Sequence, residues 1–155
     1  MCQQVGCGFF ESANVKIYDY IHCYINIPDT SGRDSLFQAE ARRCKDILEH
    51  VEKHSNERHL CIFDELYSGT NPNDAILCAK IYLKVLKSYS CVDFILTTHY
   101  IQLCEELDKY VSNYKMNVIE HKDKIEYLYK IKKGISYVHG GKQILKDLNY
   151  PDYLF

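Results

Sequence analysis

Leu60-Cys61-Ile62-Phe63-Asp64-Glu65-Leu66-Tyr67-Ser68-Gly69-Thr70-Asn71-Pro72-Asn73-Asp74 is the stretch that decides the fold. Its short apolar run, Leu60–Phe63, reads as a buried parallel strand. The strand runs into two adjacent carboxylates and then into a small-residue loop. That loop opens a helix near Pro72, a residue favoured at the first helical position. A carboxylate at such a strand end suits Mg²⁺ held through its water shell, and its neighbour suits orienting or deprotonating an attacking water. This is the hydrolytic half of a nucleoside-triphosphatase site. The other half, a phosphate-cradling Gly-x-x-x-x-Gly-Lys-[Ser/Thr] loop, occurs nowhere in the 155 residues.

Working outward, Ala75, Ala79, Tyr82, Leu83 and Leu86 form the buried face of the helix after Pro72. Val92–Leu96 is a second buried strand, ending in Thr97-Thr98-His99, and a further helix runs to about Leu107. Upstream, Val15–Ile27 is rich in β-branched and aromatic residues and reads as one long or two short strands. Residues 28–33 form a loop, and Asp34 or Ser35 caps a helix of about 20 residues with the apolar stripe Phe37, Ala41, Cys44, Leu48, Val51. Strand–helix alternation of this kind predicts an α/β fold with a parallel sheet and ligands at the carboxyl ends of its strands. Downstream the period changes to two: residues 114–118 and 125–131 alternate about a turn at 121–124, giving a C-terminal β-hairpin. Gly134 closes it, and Tyr137–Leu148 is a helix weakened by Gly140 and Gly141.

The length suits a single domain with a proper core, and the net charge of −2 gives no general reason to expect nucleic-acid or membrane binding. Charge is nonetheless uneven: residues 1–108 carry 10 Lys/Arg and 16 Asp/Glu, whereas 109–146 carry 9 and 3. The simplest reading of the second set is a solvated Lys-rich hairpin. Eight cysteines stand singly, with no Cys-x-x-Cys pair, which argues against a zinc site and for reduced thiols in an intracellular compartment, cytoplasm or nucleus. No apolar run approaches a membrane span, and no secretory leader is visible.

Three segments converge on a phosphate site in this reading. Asp64 and Glu65 end one strand, and His99 ends the next at the same sheet edge, where an imidazole can meet a terminal phosphate or hold the attacking water. Either feature alone is equally a capped turn or a satisfied histidine; together, at two strand ends in parallel order, they point to a site. The third segment, Ser31-Gly32-Arg33-Asp34-Ser35-Leu36-Phe37, opens a helix whose free N–H groups, Ser35 hydroxyl and dipole favour an anion. Glu40, five residues after Ser35, reads as a solvated helix residue.

With these segments in order, the chain resembles the C-terminal part of the ATPase domain of the MutS family, ABC-type ATPases of DNA mismatch repair. Phe63-Asp64-Glu65 with Ser68-Gly69-Thr70-Asn71-Pro72 resembles the family's Mg²⁺ and catalytic-carboxylate strand with its dimer-contacting loop. Thr97-Thr98-His99-Tyr100 resembles the Thr-His-Tyr switch, and Ser31-Gly32-Arg33 with Ser35, Phe37 and Glu40 resembles the signature segment. Gly8–Ala13 resembles the segment just after the phosphate-loop helix, and the hairpin with Gly134–Gly141 resembles the closing strands and helix.

The resemblance implies a P-loop NTPase fold, partial here, with ATP and Mg²⁺ as cofactors. It implies Asp64 on the metal, Glu65 polarising water and His99 sensing the γ-phosphate in cis. It further implies that Ser31, Gly32 and Ser35 act on a partner's nucleotide in trans, with Ser68, Gly69 and Thr70 in the loop at the dimer face. A homo- or heterodimer through the ATPase face follows, with a MutS-like subunit or N-terminal fragment supplying the phosphate loop. Because the resemblance places the missing strand–helix unit at the centre of the sheet, Cys61–Phe63 and Val92–Leu96 are both expected to lack a neighbouring strand. DNA is reached only indirectly. The sequence departs from the pattern in lacking that loop, in a signature loop one residue longer because of Asp34, and in Tyr67 and Pro72. Three functions fit these features: an ATPase half-module active with a partner, a non-catalytic module that docks on and regulates an intact MutS-like ATPase, or an inactive fragment. Retention of Asp64, Glu65 and His99 together favours the first over the third.

Overall fold

A computed structural model describes residues 12, 14–25, 35–121, 124–138 and 140–151, excepting the side chains of 120, 124, 142 and 143. The chain forms two compact units, residues 1–100 and 101–155. Among the described residues no helix is long and apolar enough to cross a membrane.

The first unit is a three-stranded parallel sheet in the order β1 (Tyr20–Tyr24), β2 (His59–Asp64), β3 (Val92–Thr97), joined through helices α1 (Leu36–Lys53) and α2 (Pro72–Ser88). Parallel neighbours need such helical crossovers, and their near-invariant right hand puts both helices on one face when strands follow in order. The side chains agree. Tyr20, His22 and Tyr24 register with His59, Cys61 and Phe63. Tyr20 meets His50 of α1, and Phe63 meets Tyr82 of α2 edge to face. The opposite face carries Ile21, Ile62 and Ile95, with Ile21 38% and Ile95 54% exposed.

The α/β class and the parallel sheet stand as expected, with corrections in detail. β1 is only five residues long, and at its start the Asp19 and Tyr20 amides share the Arg58 carbonyl. Residues 26–34, including the expected loop, lie outside the described residues, as do most of Gly8–Ala13. Within the described residues β2 is the central strand, paired on both sides, so only β3 of the two expected strands presents a free edge.

α1 begins where its cap dictates. The Ser35 hydroxyl accepts from the Gln38 amide at 3.3 Å, and the Gln38 side chain accepts from the Ser35 amide at 2.9 Å, a reciprocal capping box. Its buried face is Glu40, Cys44, Ile47, Val51 rather than the expected stripe through Phe37, Ala41 and Leu48. The shift arises because a carboxylate, Glu40, occupies a core position. α2 starts at Pro72 behind an Asn71 cap and buries the expected Ala75, Ala79, Tyr82, Leu83 and Leu86, with Ile76 in addition.

The second unit holds α3 (Ile101–Leu107), an antiparallel ribbon of β4 (Tyr114–His121) and β5 (Lys124–Lys133), and α4 (Gly141–Asp147). α4 is shorter than the expected Tyr137–Leu148. It starts only after Gly140, which supplies no side-chain cap.

Candidate functional site

Register brings the two strand ends together. Asp64, the last residue of β2, pairs with Thr97, the last of β3. The Thr97 hydroxyl donates to the Asp64 carboxylate, which is otherwise open to solvent. One residue on, the Glu65 amide donates to the Thr97 carbonyl at 3.0 Å, so the backbone stays tied to β3 as the strand ends. Glu65 then takes φ +49° and Tyr67 φ +60°. Two side-chain-bearing residues in the left-handed region within three positions cost of order 1–3 kcal/mol each, and such outliers gather where a side chain must be aimed.

The turn brings Glu65 to His99, whose Nδ1 lies 3.0 Å from Glu65 Oε1. An ionised carboxylate only accepts, so Nδ1 carries the proton and Nε2 is left for another partner. The side chains are 47% and 61% exposed. An exposed pair of this kind contributes roughly 0–1 kcal/mol, too little for a structural role to explain it. His99 is steadied by the Tyr100 ring, 4.2 Å away between centroids.

The loop that follows is held by Glu40, which is 2% exposed. The Ser68 hydroxyl donates to Glu40 Oε1 and the Gly69 amide to Oε2, each at 3.0 Å. Gly69 must be glycine, since a Cβ would stand 2.7 Å from Leu36 Cγ and 2.8 Å from the Phe37 nitrogen. The loop's underside is aromatic: the Tyr67 amide donates to the Tyr24 hydroxyl at 3.3 Å, and the Tyr67 ring packs against Phe37 and Tyr82. Burial there pushes the Cys44 thiol up to about 12. The first turn of α1 and the loop after Glu65 are thus one packed body.

Of the residues singled out from sequence, Asp64, Glu65 and His99 come together with Thr97. Ser68 and Gly69 form a second group with Glu40, and Thr70 follows in the same loop, just before the Asn71 cap. Ser35 stands apart as the N-cap of α1, little more than one helical turn from Glu40. Ser31 and Gly32 lie outside the described residues. The sequence reading of Glu40 as solvated is overturned: a chelating pair of donors from residues 68 and 69 draws it inside. Thr97 was part of the quoted switch segment but had no role; its place opposite Asp64 gives it one.

The donor set suits a hard divalent cation. Asp64 and Thr97 offer only oxygen; among the described residues no group of three or more His, Cys, Asp or Glu is placed to hold a metal ion. Mg²⁺ is typically held in this sparse manner, by one or two protein oxygens with water and phosphate completing its shell.

The family model for MutS domain V matches residues 1–154. The chain is 29% identical over 144 residues to the DNA mismatch repair protein MutS of Acholeplasma laidlawii, covering 91% of this chain and 17% of that protein. It is 33% identical over 125 residues to the DNA mismatch repair protein MSH3 of Saccharomyces cerevisiae, covering 76% and 12%. With the DNA mismatch repair protein MutS of Aquifex pyrophilus it shares 30% identity over 145 residues, covering 92% and 16%. The chain therefore spans about a sixth or less of the length of these relatives.

Proposed function

The chain belongs to the MutS family through domain V, and we propose that it is the carboxylate-and-switch portion of an ATP-hydrolysing module serving DNA mismatch repair or a related DNA transaction. The observation that carries this reading is the joining of Asp64, Glu65, Thr97 and His99 at two adjacent strand ends, with Glu65 aimed by a left-handed turn and held by His99. The names of the matched relatives, all DNA mismatch repair proteins, supply the process.

In this reading Asp64 and Thr97 hold Mg²⁺, which when bound supplies charge neutralisation at the phosphates. Glu65 orients and deprotonates the attacking water through the carboxylate oxygen that His99 does not occupy. His99 keeps Glu65 in one rotamer through Nδ1 and presents Nε2 to the terminal phosphate. Ser35 and the residues before it reach a partner's nucleotide across a dimer, and Glu40 ties that segment to the loop following Glu65. The backbone cradle and lysine that grip the β- and γ-phosphates come from outside these residues. The edge of β3, unpaired within the described residues, and the open face of Ile21 and Ile95 support a neighbouring strand–helix unit at that place.

Binding of a fluorescent ATP analogue with Mg²⁺ tests the reading. The chain alone is expected not to bind at micromolar concentrations. Addition of a MutS-family segment carrying the phosphate loop is expected to restore binding, and Asp64→Ala to weaken it. Tight binding by the chain alone, unaffected by Asp64→Ala, contradicts the reading.

A further inference from the structure

The second unit carries a surface that nucleotide chemistry does not use. In the ribbon, Tyr114 lies opposite Lys133, Met116 opposite Ile131 and Val118 opposite Tyr127, so these side chains share one face. That face is open: Tyr114 is 64% exposed, Met116 48%, Tyr127 48% and Ile131 73%. Between Met116 and Val118 the register shifts, and β5 sets Leu128, Tyr129 and Lys130 opposite Asn117 alone. Tyr129, at φ +52° within this bulge, is 85% exposed. Aromatic and apolar side chains left in water at this density mark a binding surface.

Charge identifies the partner. Between 109 and 146 nine lysines, at 109, 115, 122, 124, 130, 132, 133, 142 and 146, stand against three acids, Glu120, Asp123 and Glu126. Lys133 shares the open face with Tyr114, and on the reverse face Lys115 and Lys132 lie directly opposite each other. A like-charge cross-strand pair is unfavourable in an isolated ribbon and becomes favourable beside a polyanion. An acidic protein would satisfy the lysines but gives three tyrosines no flat counterpart. A nucleic-acid duplex offers phosphates but keeps its base faces stacked within. An unpaired strand offers both a charge and a π-face at every nucleotide.

We infer that this ribbon binds a single nucleic-acid strand, with bases stacked on Tyr129, Tyr127 and Tyr114 and phosphates met by Lys130 and Lys133, the Lys115–Lys132 pair adding to the field. This does not depend on the nucleotide site, and its test needs no ATP.

The test is fluorescence anisotropy of the whole 155-residue chain with a labelled oligothymidine of about 20 nucleotides and with a duplex of equal length. The single strand is expected to bind more tightly than the duplex, with a slope of log K against log salt of about −2 to −3, corresponding to three or four phosphates. Tyr129→Ala is expected to weaken binding about tenfold. Tyr129→Asn should do the same, and asparagine adopts a left-handed backbone readily, so its melting temperature guards against loss of fold. Lys130→Glu with Lys133→Glu should flatten the salt slope by about 1.4 or more. Equal or tighter duplex binding, absence of strand binding at low salt, or tyrosine variants that bind like the parent overturns the inference.

Discussion

Glu40 and Gly69, 29 residues apart, are joined by a hydrogen bond of 3.0 Å from the Gly69 amide to a carboxylate that is 2% exposed. The same carboxylate takes the Ser68 hydroxyl with its other oxygen. The first turn of the capped helix is thereby fixed to the loop that follows Glu65, so displacement of one displaces the other.

This bond predicts a large effect of small changes. Glu40→Ala removes both acceptors, leaves two donors unsatisfied and opens a cavity, for a loss of about 3 kcal/mol. Gly69→Ala drives a methyl into Leu36 and the Phe37 backbone, for a loss of about 1–3 kcal/mol. Urea unfolding measures both. A solvated glutamate, as the helix periodicity alone suggests, predicts changes within about 0.5 kcal/mol.

A second prediction concerns acid. His22, His50, His54 and His59 gather around Tyr20 at the other end of the sheet. The His59 Nε2–H donates to the His54 carbonyl at 3.0 Å, so in neutral His59 the Nδ1 accepts, and His22 Nε2–H donates to it at 3.0 Å. Burial, then the neighbouring His59, His50 and Arg43, lowers the His22 pKa from 6.5 to about 4, and burial lowers His50 as well. The unfolded chain therefore binds more protons than the folded one between these values. The stabilisation is full above pH 6.5 and is lost as pH falls towards 4. Melting temperature should decline across that window, and His22→Leu should flatten the decline. A parent protein whose melting temperature stays level from pH 7 to 4.5 contradicts this.

Thiol reactivity supplies a third. Burial raises Cys44 and Cys61 to about 12, while Cys23 is exposed. Under native conditions iodoacetamide should modify the exposed Cys23 and spare Cys44 and Cys61 until the chain is unfolded. Peptide mass spectrometry after a timed pulse reads the order; early labelling of Cys44 would show that the packing beneath Tyr67 is wrong.

What the sequence disclosed and what it hid follow from the reach of each signal. The buried face of α2 was legible because Ala75, Ala79, Leu83 and Leu86 repeat at helical spacing behind a Pro72 start. The meeting of Glu65 with His99 was foreshadowed by strand–helix alternation, which sends both strand ends to one edge. Glu40 was hidden because a periodicity argument sends carboxylates to solvent, and the donors that reverse this arrive from residues 68 and 69. The centrality of β2 was hidden because alternation fixes direction but not strand order. The histidine cluster was hidden for the same reason as Glu40: its members come from β1, α1 and β2 and meet only on folding.

The most direct test of the central claim is ATP turnover by this chain assembled with a segment bearing the phosphate loop, comparing Glu65 with Glu65→Gln. If Glu65 activates water, the variant binds nucleotide as before and loses about 10²–10⁴-fold in turnover. Turnover equal to that of the parent would show that the carboxylate held by His99 is not the one that acts on water.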